Sequence, residues 1–346
     1  MESSRAISAK PTTEIAPSEP KTPSSEAARS STPGTNSTTA TSSVTSTIQI
    51  SRQLLTQNQM RYCQSQTIEN RQAYDQKRSQ MFNFLMKICH ALRFPVRTLE
   101  SAMVLYQRFY LHNKFDGQNY YDVALTSLFL ATKNEDTVKK LRDIILTATQ
   151  LRGAPLSNDQ VEAYRRKLMN VEFKMLEIIS FDFRVAHVEE YIVKIGKKLK
   201  IPQEICYLAW LIAYDSYQLE VALKVPANAI AFAVLQIACL INKQNIRVMY
   251  KEYHCSHFAV NEAMIDILDF FMNSYNFTLL SSMRPELKNE FFNIKVGMTD
   301  KRVMSESSRA LIEKDEYFRE RNFAVNERRY MLSNQRKRLY SELDKK

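Results

Sequence analysis

The sequence predicts an all-α protein: two tandem five-helix domains between a disordered N-terminal segment and a charged, helical C-terminal extension. Three observations predict it. The 346 residues include only five Gly and ten Pro, too few for a turn-rich β architecture. Apolar residues recur at helical spacing from about Met81 to about Leu280. The pattern then repeats in tandem with a period of roughly 100 residues, far too long for a solenoid.

The first domain, residues 51–186, reads as five helices. One runs to about Leu92 with Met81, Phe84, Leu85 and Ile88 on one face. Pro95 opens a second as its first helical residue, and this helix carries Leu99, Met103, Tyr106, Phe109 and Tyr110 up to the Asp116-Gly117 turn. A third, from about Tyr120 to Thr132, is apolar nearly all round, which marks a buried centre. Leu141, Ile144, Ile145 and Ala148 give a fourth. Ser157 and Gln160 have capping-box spacing ahead of the fifth, which runs to about Ile179.

The second domain, residues 187–283, is a degenerate copy. KICHALRFP at 87–95 aligns with KIGKKLKIP at 194–202, the apolar helix from Ala124 with the run from Ala233 to Ile241, and SFDF at 180–183 with SYNF at 274–277. The stretch from Arg247 to Phe258 has no clear stripe for a fourth helix.

Residues 1–50 are dominated by Ser, Thr, Pro and Ala and lack the apolar surface to offset their ordering entropy, so disorder is expected. Residues 284–346 are highly charged. There Leu311, Phe318, Val325, Leu332 and Leu339 recur every seven residues beside Ala310, Tyr317, Ala324 and Met331. Two readings stand for this narrow stripe: a solvated, partly helical tail, or a helix packed lengthwise on another subunit or on the body. Arg336-Lys337-Arg338 fits a nuclear import signal or an RNA contact.

Composition limits the function classes. With 45% hydrophobic and 25% charged residues the chain is of the soluble globular type. The apolar run from Val225 to Ile241 is broken by Asn228 and Gln236 and falls short of a membrane span. Five scattered cysteines give no disulfide framework. A net charge of +11 suits an acidic partner without identifying one. No Gly-rich phosphate loop is present, which argues against a kinase. His254, Cys255 and His257 lie close together but lack a second ligand pair, so neither a metal nor a cofactor is expected.

Two charges stand where apolar residues belong. The fifth helix carries Leu168, Val171, Met175, Leu176 and Ile179, and Glu172 interrupts that stripe; Lys133 ends the third helix one turn beyond Phe129. A charge on an apolar face needs a partner or water. Periodicity leaves two readings open: the two residues pair within the domain, or they face a docking partner.

The segments SAMVLYQRFYL (101–111), SLFLATKNEDTVKKLRDII (127–145) and EFKMLEIISFDF (172–183) resemble the first cyclin box of the cyclin family. The likeness is to the transcriptional branch of cyclins T and K and the CTD kinase β subunits, and it continues more weakly through PANAIAFAVLQIACLINK (226–243) as a second box. The resemblance implies a noncatalytic nuclear subunit that activates a cyclin-dependent kinase. The complex would phosphorylate the RNA polymerase II C-terminal domain, and a third CTD kinase subunit is a further implied partner. It also implies that Lys133 and Glu172 grip the kinase, flanked by Leu130, Leu176, Phe181 and Phe183. The first helix reads MFNFLMKICH where cell-cycle cyclins carry a Met-Arg-x-Ile-Leu docking motif, so recruitment of substrate there is not expected. The rival reading is a TFIIB-like, nucleic-acid-binding factor with the same tandem fold; an N-terminal Cys-x-x-Cys ribbon is missing.

Overall fold

Side-chain caps decide where several helices begin. Thr56 and Gln59 form a capping box ahead of α1 (Gln57–Thr67): the Gln59 N–H donates to the Thr56 hydroxyl, and the Thr56 N–H donates to the Gln59 side chain at 2.9 Å. Asn70 caps α2 (Arg71–Leu92), and Asn119 caps α4 (Tyr120–Asn134). Between them, α3 (Val96–Tyr110) starts after Pro95, which is the N-cap and not the expected first helical residue. α5 (Leu141–Leu151) precedes α6 (Asn158–Ile178), which has the expected Ser157–Gln160 capping box. The second half holds α7 (Val188–Lys198), α8 (Gln203–Ser216), α9 (Ala227–Ile241), α10 (His257–Ser274), α11 (Leu279–Met283) and α12 (Lys288–Gly297).

The computed structural model describes residues 54–244, 246, 249–298 and 314. Among them are twelve α-helices and no strand, as an all-α reading requires. The segment 1–50 and the seven-residue pattern from Leu311 to Leu339 lie outside the described residues. No described helix is long and apolar enough to cross a membrane.

The internal repeat has a structural cause. α2 and α7 both end on a non-glycine residue in left-handed backbone, Arg93 at φ 57° and Lys200 at φ 53°. In each case the next N–H turns back onto the helix: Phe94 donates to the Cys89 carbonyl, and Ile201 to that of Gly196, both closing the same C-terminal loop. Pro95 and Pro202 then cap the following helices. The other ends of the copies diverge. Ser180 and Phe181 are both left-handed, whereas Tyr275–Phe277 forms a 3-10 turn. Where the second copy lacks a fourth-helix stripe, the described residues ahead of α10 make the 3-10 turn Tyr250–Tyr253.

Burial follows the apolar patterning. α4 is buried nearly all round within the first bundle, packed on α3 and α6, and α9 holds the equivalent place among α7, α8 and α10. The bundles share one core, with Phe82 of α2 edge-on to Tyr214 of α8 at 5.7 Å. α12 also belongs to it: Phe291 is buried and stacks on Phe271 at 4.4 Å. The residues just past 283 are therefore packed on the second bundle. α1, which has no apolar stripe to announce it, packs Met60 and Cys63 on Val104, Leu111 and Leu223.

Candidate docking site

Helices α4 and α6 lie side by side, and their surfaces bring the two anomalous charges together. Lys133 Nζ donates to Glu172 Oε1 at 2.7 Å. The Lys133 side chain is 45% exposed and that of Glu172 12%. The ammonium also lies 4.2 Å from the centre of the Phe129 ring, a cation–π contact that orients it. A pair this open to water contributes about 0–1 kcal/mol to folding. It is formed within the domain, as the first of the two open readings required, yet it remains at the surface, as the second required.

Of the residues expected to flank the pair, Phe181 is 64% exposed, Leu176 and Phe183 are half-buried, and Leu130 is buried in the core. Phe181 is presented by backbone geometry. Ser180 and Phe181 both adopt left-handed φ, at 52° and 56°, a conformation that costs about 1–2 kcal/mol per residue outside glycine. The turn is held by the Phe181 N–H donating to the Leu176 carbonyl and by buried Asp182, whose carboxylate accepts from the Arg184 N–H and guanidinium.

Sequence reasoning missed two members of this surface. Met169 and Phe173 share a helical face with Glu172 and Leu176, and Phe173 is 55% exposed. The available signal was that both fall outside the buried stripe of Leu168, Val171 and Met175, so a Phe there faces water.

Behind the pair runs a network that the sequence did not disclose. Glu135, two residues past Lys133, accepts from Ser101 Oγ at 2.6 Å and from Asn134 Nδ2 at 2.8 Å. Its second oxygen lies 3.0 Å from His187 Nε2, and His187 Nδ1 lies 2.7 Å from Glu100 Oε2. Glu100 also accepts the Val188 N–H at the start of α7. Burial pushes the Glu100 carboxyl up to about 7 against the pull of His187. Burial by itself lowers His187, but hydrogen bonding to Glu100 and the charges of Glu100, Glu135 and Glu189 overcome it and raise the imidazole to about 9.

The chain matches the family description "Cyclin, N-terminal domain" over residues 49–184. It is 35% identical over 295 residues to the "CTD kinase subunit beta" of Saccharomyces cerevisiae, covering 82% of this chain and 91% of that protein. The chain belongs to the cyclin family. A second relative, the "CTD kinase subunit beta" of Schizosaccharomyces pombe, is 34% identical over 216 residues, covering 60% of this chain and 64% of that protein. Among solved structures, a chain of the yeast RNA Pol II CTD kinase CTDK-1 complex superposes with a TM-score of 0.76 at 32% identity, covering 85% of this chain and 99% of that one. The tandem all-α body is thus a cyclin fold, and α1–α6 occupy the part that matches the family description.

Proposed function

We propose that this cyclin is the noncatalytic regulatory subunit of a nuclear kinase complex. It binds a cyclin-dependent kinase through Lys133 and Glu172, and the complex phosphorylates the RNA polymerase II C-terminal domain during transcription elongation. One observation carries this reading: a charged pair at the surface of the first bundle of a cyclin fold, on a helix that also exposes Phe173 on the face of Glu172. Exposed aromatic groups beside a fixed donor and acceptor are the composition of an interface hot spot. The names of the two relatives and of the solved complex support the substrate. In this reading residues 51–186 and 187–283 are the two boxes, and the second box or the tail beyond α12 contacts a third subunit of the complex. The cyclin performs no chemistry; its binding energy biases the kinase toward its active arrangement.

A charge swap separates docking from a purely internal ion pair. Lys133→Glu and Glu172→Lys each lower kinase affinity by roughly 30-fold or more, equivalent to about 2 kcal/mol, and abolish stimulation. The double variant restores an internal pair and the stability of the parent. It still fails to stimulate, because the polarity offered to the kinase is reversed. Full stimulation by the double variant, measured as phosphate transfer to a C-terminal-repeat peptide, is the result this reading does not survive.

A further inference from the structure

Every polar atom of the His187 ring faces a carboxylate. Nδ1 meets Glu100 Oε2 at 2.7 Å and Nε2 meets Glu135 Oε2 at 3.0 Å. An imidazole that satisfies two carboxylates needs two N–H donors, so the geometry is that of the imidazolium. The three residues come from different elements: Glu100 from α3, Glu135 from the end of α4, and His187 from the N-cap of α7. All three are buried or nearly so, where a hydrogen-bonded charge network is stronger than in water and costlier to break.

We propose that His187 is a positioning residue for kinase docking: as a charged strut it clamps the turn that follows Lys133 against the first helix of the second box. The inference rests on the docking reading above. The clamped turn has other local features. Asp136 is left-handed at φ 52°, the Thr137 N–H donates to the Thr132 carbonyl at 2.9 Å, and the Thr137 hydroxyl lies 3.1 Å from that of Thr98. None of these reaches the second box. Only the His187 ring joins Glu135 to Glu100 and the start of α7 among the contacts described. Without it, Glu135 loses its tie to Glu100 and the start of α7, and the turn that carries Lys133 is held by its own contacts alone.

The surroundings set the pH behaviour. Besides Glu100 and Glu135, the ring faces Glu189 of α7, whose carboxylate oxygen lies within 4.8 Å of the ligand atoms of Glu100 and His187 and accepts from the Tyr217 hydroxyl at 3.0 Å. Arg108 of α3 and Arg184 share with Glu100 the walls of a cavity of about 340 Å³. The His187 imidazole is raised to about 9. For a raised base the contribution is complete below its ordinary value of 6.5 and is lost as pH climbs through about 9. The strut is therefore charged throughout the neutral range.

The test uses the full chain and the kinase catalytic subunit recovered with it, re-expressed by itself. In nitrogen-labelled protein both ring nitrogens of His187 carry protons at neutral pH, with a titration midpoint near 9. His187→Gln and, separately, Glu135→Gln raise amide exchange across 133–137 by about tenfold and weaken kinase affinity by a similar factor, with kcat at saturating cyclin unchanged. Parent affinity falls as pH rises through 9, whereas that of His187→Gln stays flat. A midpoint near 6.5, or unchanged exchange in both variants, overturns the strut. Lys133→Glu is the control: if it binds like the parent, the docking reading fails, while the exchange data still decide whether the strut exists.

Discussion

A single missing methyl group sets how closely α7 and α8 pack. A Cβ at Gly196 would meet Cys206 Sγ at 2.6 Å, closer than real contacts allow. Gly196→Ala is expected to destabilise the protein by about 1–3 kcal/mol in thermal or urea unfolding, as overpacked cores do. Adding Cys206→Ala opens the space and recovers most of that loss, so the two changes are strongly non-additive. An unfolding midpoint indifferent to Gly196→Ala removes the argument. At this scale the sequence was legible where a residue contradicted its surroundings. Glu172 inside a stripe of Leu168, Val171 and Met175 stood out by type alone. His187 did not, because a lone histidine in a loop breaks no periodicity, and its two carboxylate partners lie 87 and 52 positions away. Phe173 was hidden for the opposite reason: an aromatic residue next to an apolar stripe passes for part of it.

Helices were legible in proportion to their apolar stripes and caps. α6 shows both, and its capping box formed as spaced. α1 shows the limit: QNQMRYCQSQT has too few apolar residues to read, and its place depends on Met60 and Cys63 meeting a surface that exists only after the bundles form. The weak stripe between Arg247 and Phe258 correctly signalled a reduced element, since one 3-10 turn is all that forms there in the described residues. α12 was read as the start of a charged extension because its charged residues mask one decisive aromatic. Phe291 stacks on Phe271 and lies 5.8 Å from Tyr275. Phe291→Ala is expected to cost about 3–5 kcal/mol, the range for a fully buried aromatic. Amides of α12 lose their exchange protection before those of α9, because α12 is held mainly from one side. A loss below about 1 kcal/mol means that α12 contributes little to the second box.

The two boxes behave as one body because buried charges tie α1 and α2 to the connector between α8 and α9. Glu220, in the 3-10 turn Glu220–Leu223, accepts from Arg71 at 2.8 Å and from Gln64 Nε2 at 2.7 Å, and pairs with Arg78 at 3.2 Å. Lys224 joins the same junction to α1 through Gln57, at 2.8 Å, and to α10 through Glu262 and Asp266. Burial works to raise the Glu220 carboxyl, but Arg78 and Arg71 outweigh it and hold the group at about 2. A depressed acid contributes its stability above its ordinary value of 4.5 and loses it as pH falls through about 2. Two other carboxyls oppose this. Burial lifts Glu100 to about 7 and, against the Leu279 and Leu280 N–H groups, Asp215 to about 6, so both favour folding at lower pH. The wild-type profile alone mixes these signs, and a difference isolates the junction. Glu220→Gln leaves Arg78 buried without its carboxylate, and above pH 5 the variant is expected to be about 3–5 kcal/mol less stable than the parent in urea unfolding. As pH falls from about 4.5 towards about 2 the parent protonates Glu220 and the two curves converge. Parallel curves across that window would mean that the arginines do not depend on this carboxylate, and that Glu220 does not join the boxes.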